Sequence, residues 1–383
     1  MSIIKSQNVN EPYESLYKLN VGQSLDEYEA EEAMMLILNE NDDQKRIGLL
    51  TMLLNGVMIK GPTINEISGL LTAALSMDNQ LKKNKDKLVL SNNEKLIGVA
   101  SSGKKGIKTI NITSTACFVA AACGANIVKA CSHSTSSKTG SSDFLDICGI
   151  NLNLSLEEKN NILNRYHISF FSIEDTTPKF AHVYGGVFYA PHAMSFGLAG
   201  LSFPVQIDSL AYGISHPNVK LSAEVLKKFG ISNALVYSCT YDGIHYLDEL
   251  LPIGCANLVR IKNSNVEKII SADIQDALSI NSYFNINALK EKDDATDNVL
   301  ASLRILMGEG DQSQIDAICI NASIFLLLAE KVNSLEEGYK MAKKIISTGK
   351  VWKNFLSVVD LYGGNSKNIE KLVSKYSNNI ERR

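Results

Sequence analysis

From about residue 10 to 78, apolar residues return every three or four positions, the period of helices that bury one face. The segment "SLDEYEAEEAMMLILNE" opens with Ser24 and has Glu27 three residues on, the spacing of a capping box. "DDQKRIGLLTMLLNGVMIKG" repeats the pattern and stops at Gly61 and Pro62, a helix-ending pair. "TINEISGLLTAALSM" opens with Thr63 and Glu66, again a capping-box spacing. No β-branched alternating run interrupts these segments, so a small helical unit is expected. Residues 79 to 95, "NQLKKNKDKLVLSNNEK", are rich in lysine and asparagine and read as a solvated linker.

The character then changes. "KLIGVASSG" is a short apolar run that ends in small residues, as a strand does when it enters a loop. "TSTACFVAAACG" reads as a helix of small residues closed by Gly124, "ANIVKA" as a strand, and "SSDFLDICGINLNLSLEEKNNILNRY" as two helices parted at Gly149. "ISFFSI" and "CANLVRIKN" read as strands, and "SAEVLKKFGISNALVYSC" as a helix feeding a strand. Strands alternating with helices predict a mainly parallel sheet with helices packed on it. Helical periods return from 286 to 349, and the last residues form a polar helix or a frayed end.

Composition narrows the class rather than the fold. The chain has 383 residues, 45% of them hydrophobic and 21% charged, as expected of a globular enzyme with two domains or one domain with an elaborated second layer. A net charge of −3 and the lack of a basic stripe argue against nucleic acid and membrane surfaces as partners. Seven cysteines, with no C-x-x-C spacing, fit a reducing compartment. No run reaches the ~20 apolar residues of a bilayer span. A cytoplasmic location is expected.

Three stretches carry candidate chemistry. "SSGKKGIKTINITS", residues 101 to 114, is a small-residue loop between a strand and a helix, with Lys104, Lys105, Lys108, Thr109, Thr113 and Ser114. Backbone N–H groups and a helix N-terminus in such a loop face an anion favourably. "KACSHSTSSKTGSS", from Lys129 to Ser142, follows the next strand and concentrates small hydroxyls: Ser136, Ser137, Lys138, Gly140 and Ser141 form a second turn. Both loops fall at the carboxyl edge of a sheet, where α/β proteins bind ligands. "YLDELLPIG" sets Asp248 beside Glu249, the oxygen-ligand set that Mg²⁺ prefers. Together the three suggest a phosphorylated, metal-bound ligand.

Over roughly residues 24 to 350 the order of these motifs resembles the anthranilate phosphoribosyltransferase family. "TINITSTACFVAAACGANIVKACSHSTSSKTGSSDFLDICGINLNLS" is similar to its central signature, and "LDELLPIG" to its metal-binding Asp-Glu segment. The resemblance implies an α/β protein in which a small helical domain is hinged to a larger α/β domain with a mainly parallel central sheet. The helical domain would take residues 1–90, completed by helices from about 178–205; the α/β domain 91–365; and a polar tail 366–383. It also implies phosphoribosyl pyrophosphate as donor, two Mg²⁺ ions, a small-molecule acceptor and a homodimer built through the helical domains. Carried over by position, the donor would meet Ser101, Ser102, Gly103, Lys104, Lys105, Thr109, Asn111, Thr113, Ser114, Lys129, Ser137 and Ser141. Asp248, Glu249 and Thr113 would hold the metal. The acceptor pocket would take Ala130, Ser132, His133, Thr177, His182 and Val187, with His133 as the one candidate for an acid–base role and the stretch "HVYGGVFYAPHAMSFG", residues 182 to 197, with His182 and His192, lining it.

Two places depart from the family. Its Gly-Thr-Gly-Gly-Asp-Gly loop reads Ser101, Ser102, Gly103, Lys104, Lys105, Gly106 here; a side chain at 104 crowds an approach that glycine permits, and the lost acid at 105 leaves two outcomes, compensation by lysine–pyrophosphate pairing or loss of donor binding. Its Lys-His-Gly-Asn-Arg reads Lys129, Ala130, Cys131, Ser132, His133, and its His-Pro reads Thr177, Pro178. Such a change in hydrogen-bonding groups points to an acceptor other than anthranilate, as in specialised metabolism. A phosphorolytic enzyme related to nucleoside phosphorylases, and a catalytically silent binding relative, are the alternatives.

Overall fold

The computed structural model describes residues 12–81, 85–91, 94–134, 137–186, 188–280 and 283–380. Four helices open the chain: α1 (Tyr13–Asn20), α2 (Glu27–Leu38), α3 (Asp43–Lys60) and α4 (Ile64–Ser76). The capping box at α4 is the expected one, Thr63 with Glu66. At α2 it is not Ser24 with Glu27 but Asp26 with Glu29. Leu25 explains the shift. Its side chain is buried and its N–H donates to Glu66 Oε1 at 3.0 Å, which fixes it outside the helix and leaves Asp26 as the first residue free to cap.

The α/β part then alternates β1 (Leu96–Ser101), α5 (Ile112–Ala122), β2 (Asn126–Cys131), α6 (Ser141–Ile147), α7 (Leu156–Tyr166) and β3 (Ile168–Ser172). Three short helices follow, α8 (Ile173–Thr176), α9 (Pro178–Tyr184) and α10 (Leu198–Leu201), with a 3₁₀ turn at Ala193–Phe196 between the last two. Next come β4 (Ser209–Gly213), α11 (Val219–Lys228), β5 (Ala234–Thr240), β6 (Tyr246–Leu247), β7 (Cys255–Lys262), β8 (Asn265–Val266) and β9 (Ile270–Asp273). Helices α12 (Ile274–Ala277), α13 (Ile286–Leu289), α14 (Ala295–Met307), α15 (Gln312–Leu328), α16 (Leu335–Ser347), α17 (Lys350–Leu361) and α18 (Ser366–Ile380) close the chain.

The sheet runs β3-β2-β1-β4-β5-β7-β8, parallel from β3 to β5. The expected strand "CANLVRIKN" is β7, and it pairs antiparallel to β5. Both faces of the parallel part are covered, so its strands read as continuous apolar runs. Along β1, Ile97 and Val99 face a core built with α5 and the C-terminal helices, where Phe118 packs edge-on to Phe355 at 5.0 Å. Leu96 and Ala100 face the opposite core, shared with α2 to α4, α9 and α11. Of the segment read as a solvated linker, the described residues 85–91 are exposed or half-buried and are tied to the protein by hydrogen bonds. Val89 N–H and Ser91 N–H donate to Asn160 and Asn164 on α7, both at 2.8 Å.

Candidate active site

Parallel strands in this sheet all point their carboxyl ends at one edge, and three loops meet there. The loop after β1 turns through two consecutive left-handed residues, Gly103 (φ 62°) and Lys104 (φ 59°). It is fixed from behind: Ser102 N–H donates to Gly213 O at 2.9 Å, and Ser215 donates from its N–H to Ser102 Oγ at 2.9 Å and from its hydroxyl to Gly103 O at 3.0 Å. β6 pairs with the end of β5 and delivers Asp248 and Glu249 to the same edge. Gly213 admits them, since a Cβ there would stand 1.9 Å from Asp248 O. From below, Asn321 on α15 grips the following turn, accepting from Leu250 N–H at 3.0 Å and donating to Leu250 O at 2.8 Å.

The loop after β2 is held by its own residues. Asp143 Oδ2 accepts from Ser134 N–H (2.8 Å) and Gly140 N–H (2.7 Å), while Ser141 Oγ accepts from Ser132 N–H at 3.0 Å. Asn111 ties the first loop to the second by donating to Gly140 O at 3.1 Å.

Between these loops and the segment from α8 to α10 lies a cavity of about 280 Å³. Every described residue expected for the donor lines it, as do Asp248, Glu249, Ala130, Ser132, His133 and Thr177. His182 does not. On α9 the lining residues are Thr177, Phe180, Ala181 and Tyr184, one face at the i, i+3, i+4, i+7 spacing; His182 falls on another face and is exposed. Val187, like Ser136, lies outside the described residues. Within the stretch expected to line the acceptor pocket, residues 182 to 197, the walls include Tyr184, His192 and Met194; Leu198 and Ala199 lie beyond it and were missed, and Tyr184 was not singled out. The helical period of "PKFAHVY" carried that signal.

Charge in the cavity is arranged in two parts. Lys105 Nζ donates to Glu249 Oε1 (2.7 Å), Glu249 Oε2 (2.9 Å) and Thr109 Oγ1 (2.6 Å). An ammonium has three protons, so none is left for Lys105 to pair with pyrophosphate. Thr113 Oγ1 also donates to Glu249 Oε1, at 3.3 Å. Burial, then the nearby Asp248 charge, raises the Glu249 carboxyl against the pull of Lys105. Asp248 Oδ2 accepts from Gly103 N–H at 2.7 Å, whereas its Oδ1 is buried with no partner among the described residues.

Lys104 turns away from this acid pair. Its Nζ stands 5.9 Å from the centre of the Tyr184 ring, and among the described residues it forms no hydrogen bond or ion pair. Burial, then the neighbouring Lys108, lowers it to about 8. His192, lowered to about 3 by burial and then by Lys104, is neutral. Its Nδ1 accepts from Met194 N–H at 3.3 Å, which puts the ring proton on Nε2. Tyr184 Oη therefore accepts that proton at 2.6 Å and keeps its own for the cavity. His133 sits at the rim with Nε2 3.1 Å from Asp146 Oδ2; burial works to lower it, but the Asp146 bond and nearby carboxylates raise it on balance.

This arrangement can neutralise a polyanion, seat one more cation at Asp248 Oδ1 and hold a second molecule against an apolar wall with two donors. Residues 93–352 match the family model described as glycosyl transferase family, a/b domain. An anthranilate phosphoribosyltransferase of Bacillus cereus (strain B4264) is 29% identical over 345 residues, 88% of this chain and 93% of that protein. One from Shewanella amazonensis is 29% identical over 324 residues, 81% and 86% of the two chains. Among solved structures, anthranilate phosphoribosyltransferase of Thermus thermophilus matches with a TM-score of 0.71 at 22% identity, over 91% of this chain and 99% of that one. The Saccharomyces cerevisiae enzyme in complex with PRPP and Mg matches with a TM-score of 0.71 at 16% identity, over 92% and 98%. These structural likenesses establish the fold.

Proposed function

The chain belongs to the anthranilate phosphoribosyltransferase family of glycosyl transferases as a divergent member, and we propose that it moves a 5-phosphoribosyl group from phosphoribosyl pyrophosphate to a small acceptor other than anthranilate. One observation carries this reading: a buried carboxylate oxygen without a partner, Asp248 Oδ1, stands beside two hydroxyl- and lysine-lined loops. A buried carboxylate oxygen with no protein partner calls for an ion, a ligand or an ordered water. That orphan fits a divalent cation of the oxygen-preferring kind. Asp248, with Glu249 and Thr113 by the resemblance, would hold Mg²⁺; the resemblance implies two ions, and their number turns on what Lys105 does at Glu249. Bound Mg²⁺ offsets charge on the pyrophosphate.

The residues of the chain do the rest by placement. The ribose C1–oxygen bond breaks with its electron pair leaving on pyrophosphate, and an acceptor lone pair closes on C1. Lys129 and the hydroxyls of Thr113, Ser114, Ser137 and Ser141 are assigned to the donor. Lys104 and the Tyr184 hydroxyl meet a hydrogen-bond-accepting or anionic group of the acceptor, whose body packs on Phe180, Met194 and Leu198. His133 is the candidate for the acceptor's proton. Enclosure in a partly apolar cavity keeps both substrates aligned and water out, which is worth more here than covalent help from the protein. Replacement of the family's polar set at 130–133 and 177 supports an acceptor other than anthranilate, and with it a place in specialised metabolism.

Seven free thiols support a reducing, cytoplasmic setting, and no helix among the described residues is long and apolar enough to cross a membrane. Tyr17, Val21, Tyr28 and Ile59 are exposed on α1 to α3, which supports a homodimer through the helical unit; light scattering at micromolar concentration tests it. Engagement of Glu249 by Lys105 favours one second reading, metal-free phosphorolysis of a nucleoside. Titration calorimetry separates the two. Micromolar binding of phosphoribosyl pyrophosphate that requires Mg²⁺ and is lost in Asp248→Ala supports transfer; binding of phosphate alone, unaffected by Mg²⁺, supports phosphorolysis.

A further inference from the structure

An acidic pair at the edge of a parallel sheet commonly gathers cations, and in this chain one cation is already present as a side chain. Lys105 Nζ contacts both oxygens of Glu249 and the Thr109 hydroxyl within 2.9 Å. The three contacts use all three of its protons. Its side chain is 14% exposed and that of Glu249 4%, so the pair is dry and the contact is charge-assisted from both sides. The two acids of the pair are not equivalent as a result. Glu249 has both oxygens engaged, one of them also by Thr113. Asp248 is 2% exposed and keeps Oδ1 with no partner among the described residues.

Resting on the transferase reading above, we propose that the Lys105 ammonium is a built-in cation that fills the Glu249 half of the metal site, so that the acid pair takes one divalent ion, through Asp248, instead of two. The ammonium carries one positive charge where a divalent ion carries two, and it cannot dissociate. The donor's pyrophosphate then meets one exchangeable ion and fixed lysines. Lys104 is free for the acceptor wall because the loop that turns at Gly103 and Lys104 sends the two consecutive lysines to opposite sides.

The test counts Mn²⁺ bound per chain, from the electron paramagnetic resonance signal of free Mn²⁺, without donor. Replacing Lys105 with methionine should add one bound Mn²⁺ relative to wild type, and Lys105→Met with Glu249→Gln should lose that gain. Lys105→Arg keeps the charge and should bind as wild type, which also controls for folding. In the wild-type background Glu249→Gln should leave the count unchanged. If Lys105→Met gains no ion, or if Glu249→Gln costs the wild type an ion, the inference is overturned. Calorimetry of donor binding is independent of these counts: loss of donor binding with the expected Mn²⁺ differences would sink the transferase reading and leave the built-in cation standing.

Discussion

Two buried lysine–glutamate pairs in this molecule share a chemistry and differ in purpose. In the helical unit, Lys60 Nζ lies 3.0 Å from Glu66 Oε2, with side-chain exposures of 7% and 0%. Glu66 also accepts from Thr63 N–H (2.9 Å), Thr63 Oγ1 (2.8 Å) and Leu25 N–H (3.0 Å). It caps α4 and pins the entry to α2, and every neighbour it touches belongs to the scaffold. At the cavity, Glu249 meets the side chains of Lys105, Thr113 and Asp248, and Asp248 keeps a buried oxygen with no hydrogen-bond donor among the described residues. A buried ion pair closed by backbone donors is part of the fold; one closed by side chains beside an orphan is part of a binding site.

The largest effect should fall on the scaffold pair. Glu66→Ala takes the carboxylate from Lys60, which keeps Ser24 Oγ and Gly61 O as acceptors, and leaves two backbone N–H groups unpaired, so it should cost about 3–5 kcal/mol of stability. Glu249→Ala opens onto the cavity, where water reaches Lys105, and should cost less than half of that. Urea denaturation of both variants measures the difference; equal losses would erase the distinction between the pairs. Next, Asp248→Asn keeps the acceptor for Gly103 N–H but removes the charge at Oδ1. Donor affinity in Mg²⁺ should fall roughly 100-fold, about 2.7 kcal/mol, with little loss of stability. Calorimetry beside a denaturation curve checks both halves.

A third test uses the lysine that stands apart from the acid pair. Lys104 titrates near 8, below the unfolded value, so only its protonated form below that pH attracts an anion. Acceptor affinity should be flat below pH 7 and fall toward tenfold per pH unit above 8, and Lys104→Met should remove the slope. For stability the sign is opposite. Between about 8 and the unfolded lysine value the unfolded chain binds the extra proton, so Lys104 makes stability rise with pH across that window. The smallest effect belongs to Tyr184→Phe, which removes one hydrogen bond to His192 and should change stability by about 1 kcal/mol while weakening the acceptor more than the donor.

What sequence made legible was local. The Thr63–Glu66 cap, the strands ending in small residues and the Gly149 break are short-range patterns, and each stands where expected. Ser24 misled because the competing cap, two residues on, was decided by Leu25 reaching Glu66 across 41 positions. β4 is a short apolar run without a clear period and went unread; α17 went unread although Val351, Phe355, Val358 and Val359 keep a helical period. The same limit applied at the site. All described donor candidates line one cavity because they sit on strand ends, the loops that follow and the first turns of the next helices, whose place follows from topology. The fate of Lys105 did not follow, because its partner is 144 residues away. The choice of Tyr184 over His182, by contrast, was legible in the helical period of α9.

The most direct measurement is a crystal structure with phosphoribosyl pyrophosphate and Mn²⁺, read by anomalous scattering. The expected result is donor density across the loops at 101–114 and 129–141, one Mn²⁺ on Asp248 Oδ1, and Lys105 still on Glu249. A Mn²⁺ on Glu249 with Lys105 swung aside, or an acid pair with no ion beside bound donor, would contradict it.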